Sequence, residues 1–91
     1  MANIGQFKVG NKWKKIDEVI GVALSANSSY TIQNKGYAEL LICIAAEEPQ
    51  DKEVGFIIQT GQSFGYTCEE GNYLWISALS GTADFNIAEG I

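Results

Sequence analysis

The chain has 91 residues, 46% hydrophobic and 19% charged, with 6 Lys and Arg against 11 Asp and Glu for a net charge of −5. That length holds one domain at most, and the apolar-to-charged balance is that of a folded globule and not of a disordered chain. The acidic balance disfavours nucleic acid, whose phosphates need clustered Lys and Arg, and no apolar run approaches membrane-spanning length.

Residues 1–12 are polar, with Gly5 and Gly10, and read as an extended or mobile arm; residues 13–91 read as a single β-sandwich domain. Residues 1–15 lack the apolar stretch and cleavage pattern of a secretory signal, which predicts synthesis and retention in the cytoplasm. Trp13, Ile16, Ile20 and Leu24 recur at spacings of three and four, so a short helical turn is expected near 13–20. Gly21 interrupts that pattern, and a strand reading of the segment stays open.

From there the pattern changes to period two. Tyr30–Asn34 alternates, and Asn34-Lys35-Gly36 is a turn signal. Glu39–Ala45 is almost continuously apolar and β-branched, the mark of a central strand covered on both faces. An acidic loop with the sole proline, Pro49, leads to the strand Val54–Gln59, where Gly55 suggests a bulge. Ser63–Cys68, Tyr73–Leu79 and Ala83–Ala88 follow, separated by Glu69-Glu70-Gly71-Asn72 and Ser80-Gly81. About seven short strands with turn signals every ten residues or so predict an all-β fold, a small antiparallel sandwich or barrel. The short Ser80-Gly81 link makes Leu74–Leu79 and Ala83–Ala88 the expected closing hairpin.

Chemistry is sparse. Histidine is absent, which removes the commonest general base and rules out Ser-His-Asp and Cys-His arrangements. Cys43 and Cys68 lack a CxxC or a second pair, so no metal site is expected; free thiols are favoured, with a bond between them left open. The acids crowd in turns, where they serve solubility, and no glycine-rich phosphate loop is present. The expectation is a non-enzyme without cofactor. Tyr30, Phe56, Phe64 and Phe85 read as core aromatics. Tyr73 and Trp75 share the strand face opposite Leu74 and Ile76. With the aliphatic face inward, the aromatic face covers a subunit interface or stacks on a sugar, with Gln33, Gln59 and Gln62 as polar partners; an interface is favoured. The cluster Lys12, Lys14 and Lys15 around Trp13 reads as a solvated face.

The strings Trp13-Lys14-Lys15-Ile16, Ile20-Gly21, Tyr30-Thr31-Ile32-Gln33-Asn34-Lys35-Gly36, Tyr73-Leu74-Trp75-Ile76 and Asn86-Ile87-Ala88-Glu89 resemble a pattern in small virion proteins of tailed bacteriophages. These are the β-rich modules found as head decoration proteins, head fibres or tail-associated subunits. The resemblance spans most of the chain from residue 13. It implies a virion structural role, localisation to the particle after synthesis in the host cytoplasm, homo-oligomerisation (a trimer favoured) and attachment to a capsid or tail protein. Phe7 in the arm and Trp13, Tyr73 and Trp75 are then the candidate interface or ligand-face residues. The alternative is a carbohydrate- or receptor-binding module working through Tyr73 and Trp75.

Overall fold

The structure, a computed structural model, describes residues 2–51 and 54–90. Eight strands and one short helix run in the order β1 (Ala2–Val9), β2 (Lys14–Lys15), α1 (Ile16–Ile20), β3 (Ser29–Asn34), β4 (Leu40–Ala45), β5 (Phe56–Ile58), β6 (Ser63–Thr67), β7 (Tyr73–Ala78) and β8 (Ala83–Glu89). They form two four-stranded antiparallel sheets, β1-β8-β3-β6 and β2-β7-β4-β5. The expected all-β sandwich is the fold. Its pairing has a simple logic: β1 with β8, β2 with β7, β3 with β6 and β4 with β5. The chain thus behaves as one long hairpin rolled up until β3 meets β8 and β4 meets β7, a jelly roll.

That roll overturns the expected closing hairpin. β7 and β8 do not pair; they lie in different sheets, and Ser80-Gly81 is a corner stepping between them, with Gly81 at φ 65°. The same holds for Asn34-Lys35-Gly36, which carries the chain from β3 in one sheet to β4 in the other. A short link permits a hairpin but does not require one. β7 is apolar on both faces, which suits an interior place between β2 and β4 better than a pairing with the half-polar β8.

The segment expected as an extended or mobile arm is extended, and it lies in a sheet and not apart from it. Residues 2–9 are β1, the edge strand of the first sheet, paired with β8 along its whole length across a register shift at Asn3/Gly5. Phe7 and Val9 face inward while Gln6 and Lys8 face out, an ordinary half-buried alternation that Gly5 and the bulge obscure. The helical turn is shorter than expected. α1 ends where Gly21 adopts the left-handed conformation (φ 82°) and its N–H bonds the Asp17 carbonyl.

Between the sheets lies the core of Ile32, Leu40, Ile42, Leu74, Ile76, Phe85 and Ile87, closed at one end by Ile16 and Ile20 of α1. Asn34 is fully buried at the β3 corner. Its amide donates to the Ala38 and Ile58 carbonyls (2.9 and 2.8 Å) and its Oδ1 accepts from Gly36 N–H (3.0 Å), tying the corner to β5.

Candidate functional site

A second apolar cluster lies outside the sandwich, on the outer face of the β2-β7-β4-β5 sheet: Trp13, Leu41, Cys43 and Trp75. Period two puts it there. Leu40, Ile42, Leu74 and Ile76 point into the core, so Leu41, Cys43, Tyr73 and Trp75 point out. Trp13 does not share a helix face with Ile16 and Ile20. It precedes β2, and it joins the outer cluster while they join the core.

Three of the four candidate residues are therefore brought together, but not as an open platform. Trp13 and Trp75 are each only 7% exposed. Only one indole reaches the segment that follows β4: Trp13 Nε1–H donates to the Asp51 carbonyl (2.9 Å), while Trp75 Nε1–H donates to the carbonyl of Ala45, the last residue of β4 (3.0 Å). Gly55 makes the close approach possible. A Cβ there would stand 2.6 Å from the Ile42 carbonyl oxygen and 3.1 Å from the Trp13 ring, so it serves contact and not a bulge. Tyr73 stays partly exposed, edge-on to Trp75 at 6.5 Å, with the Lys15 ammonium 3.9 Å from its ring centroid. Lys15 is thus seated on an aromatic ring, not merely solvated.

The fourth candidate, Phe7, is separate. It sits in β1 opposite Phe85, ring centroids 6.0 Å apart, half-buried against the main core. Nor do the amides join the aromatics. Gln59 and Gln62 lie in the β5–β6 turn and Gln33 Nε2–H donates to Gly61 beside it, at the Leu40 end of β4, whereas Tyr73 pairs with Ala45 at the other end. Five residues of strand separate the two groups by about 17 Å.

Beside Tyr73, a cavity of about 160 Å³ is lined by Asp17, Tyr66, Cys68, Glu69 and Asn72 among others. Asp17 Oδ2 already accepts the Leu24 N–H at 3.1 Å. The Tyr66 hydroxyl is sealed from solvent next to Cys68 and the Glu69 backbone, with hydrogen-bonding geometry to neither. Burial above all, then the neighbouring Cys68, pushes the Tyr66 phenol up to about 12. A ligand in the cavity cannot reach that oxygen. Cys43 and Cys68 are free thiols, and burial raises Cys43 above its usual range, which leaves it unreactive. Among the described residues, no group of three or more His, Cys, Asp or Glu is arranged to hold a metal ion.

The feature that sequence reasoning missed is at the opposite edge. Phe56 is not core: it is 59% exposed, at the open side of the sandwich, its ring 5.5 Å from that of Phe64. Val54 and Ile57 are exposed too, Ile57 on the outer face of the sheet, where it pairs with Leu41. β5 and β6 are the terminal strands of their sheets on this side. Residues 54–68 contain no charged residue and no proline, in a chain where 19% of residues are charged. That charge-free run was visible in the sequence. Phe56 was expected in the core because aromatics bury large areas, but a three-residue terminal strand leaves its inward side uncovered.

Comparison with protein-family models, with curated proteins and with solved structures finds no match.

Proposed function

We propose that this chain is a non-enzymatic structural module of a virus particle, one that self-associates and attaches to a capsid or tail surface. The observation that carries the association half is the bare β5–β6 edge. Sheet edges in soluble proteins are blunted by Lys, Pro, bulges or short length, because unpaired N–H and C=O groups invite another chain. The β1–β2 side follows that rule, with a register shift at Asn3/Gly5 and with Lys8, Lys14 and Lys15. The β5–β6 side carries exposed Val54, Phe56 and Ile57, and residues 54–68 hold no charge. Apolar surface of this kind marks an interaction site.

The particle half is supported by the sequence resemblance, which spans most of the chain from residue 13. Architecture lends associative support, since jelly rolls build viral capsid domains. Mass spectrometry of particles purified from the virus that encodes the chain tests it. The chain is expected at many copies per particle, and its absence from clean particles refutes the particle role.

A second reading, glycan binding, rests on the cavity beside Tyr73, where a carboxylate, an amide and an aromatic ring (Asp17, Asn72 and Tyr73) lie together. A glycan array separates the two: specific binding that Tyr73→Ala abolishes favours this reading, and a blank array favours the first.

A further inference from the structure

We infer that the β5–β6 edge is covered by a second copy of this chain, with β6 pairing antiparallel to β6 of its twin across a two-fold axis at Gly65. The inference rests on the self-association proposed above and names its surface, partner and register.

The backbone specifies what is offered. Asn34 N–H bonds the Gln62 carbonyl and Cys68 N–H bonds the Ser28 carbonyl. In an antiparallel ladder bonding alternates residue by residue, so Gln62, Phe64, Tyr66 and Cys68 bond to β3. The hydroxyls of Ser29 and Thr67 meet at 3.0 Å, as side chains of a non-bonded pair do. Ser63, Gly65 and Thr67 therefore turn their N–H and C=O away from β3. All three are exposed, uncharged and small. A two-fold axis at Gly65 sets Gly65 opposite its twin and Ser63 opposite Thr67 of the other copy, giving about six backbone hydrogen bonds. The first sheets of the two copies then form one continuous eight-stranded sheet, and the half-covered Phe56–Phe64 pairs close on each other.

A second copy can occupy this edge without a charge penalty. Two chains at −5 repel, and the run 54–68 is where they can touch without opposing like charges. Glu69 and Glu70 stand just past the end of β6. Antiparallel pairing about Gly65 puts the two copies of Glu69 at opposite ends, about 27 Å apart and well beyond the roughly 10 Å screening length. A parallel pairing would stack them. The size is of the right order: at the chain average of about 57 Å² each (5170 Å² over 91 residues), residues 54–68 present on the order of 850 Å², comparable to the ~800 Å² per partner of a standard interface.

The test is the solution mass of the full chain and of two variants, Phe56→Lys and Gly65→Lys, by sedimentation across a wide concentration range. Far-UV circular dichroism and the melting temperature verify folding; both sites are exposed. Each Lys is expected to weaken dimerisation by about tenfold or more. Gly65→Cys in a Cys68→Ser background should cross-link at the axis, since bonded antiparallel pairs stand about 5.5 Å apart at Cα, within disulfide range. Gln6→Cys on β1 should not. A monomer at every concentration overturns both this interface and the self-association beneath it. A trimer overturns the interface alone, as does a dimer that both Lys variants leave intact and Gly65→Cys fails to cross-link.

Discussion

Replacing Asn34 is the sharpest test of how the roll is held. Its side chain is fully buried and satisfies the Ala38 and Ile58 carbonyls and the Gly36 N–H at 2.8–3.0 Å. Asn34→Ala removes all three of these hydrogen bonds, although Ile58, paired with Leu40 in the ladder, keeps a backbone neighbour. At about 1–3 kcal/mol for a buried group that loses its partner, offset by some water entry, the loss is about 2–4 kcal/mol, a large share of a small domain's stability. Asn34→Asp is nearly isosteric, yet it exchanges two donors for a carboxylate facing two carbonyl oxygens. Burial and that repulsion raise its pKa above the unfolded value near 4, so the folded state holds the proton more tightly. The Asp variant should therefore be at its worst near neutral pH and recover as pH falls through the raised pKa. Urea denaturation at pH 7 and pH 4, followed by tryptophan fluorescence, reads both effects. A loss under about 1 kcal/mol for Asn34→Ala, or an Asp variant whose deficit does not shrink in acid, would refute the reasoning.

Gly55→Ala drives a Cβ into the Ile42 carbonyl and the Trp13 ring, and should cost about 2 kcal/mol or more by thermal melting; an unchanged midpoint would contradict the close approach. Trp13 and Trp75, both buried with their indole N–H groups bonded, should emit at short wavelength and resist iodide quenching, whereas an exposed aromatic platform would be quenched readily. Tyr66→Phe removes a buried hydroxyl with no partner among the described residues and should be neutral or stabilising by up to about 1 kcal/mol at pH 7. Because the folded Tyr66 phenol titrates near 12 and the unfolded one near 10, the wild type should lose up to about 2–3 kcal/mol as pH rises from 10 to 12, where the unfolded state alone has released the proton. That group's share of the loss should be missing from Tyr66→Phe.

Much of the local structure was legible. The strands at 29–34, 40–45, 63–67, 73–78 and 83–89 lie where alternation and turn residues place them, within a residue or two. β4 is interior and covered on both faces, as its unbroken apolar run indicates. The strand partners were not legible. Alternation reports which way a side chain faces but not which strand lies alongside. Turn chemistry at Ser80-Gly81 is the same for a hairpin and for a corner between sheets. β1 was hidden because Gly5 and the bulge break the Phe7–Val9 pattern after four residues.

The aromatic face shows the same division. Period two placed Tyr73 and Trp75 opposite the aliphatic core, and they are there. It carried no information on the long-range bonds from the two indoles to Asp51 and Ala45 that convert this face into a second, covered cluster. The edge was readable by a different signal, the run of fifteen uncharged residues at 54–68, which periodicity does not measure. Exposure of Phe56 follows from its place on the terminal strand, a property of sheet order and not of its neighbours in sequence.

The central claim, that the bare β5–β6 edge is where copies of this chain meet, is tested most directly by the mass of the purified protein in solution, by light scattering coupled to size exclusion. The account predicts a species of twice the 9.9 kDa chain mass that dissociates when Gly65 is replaced by Lys. A clean 9.9 kDa monomer at high protein concentration would contradict it.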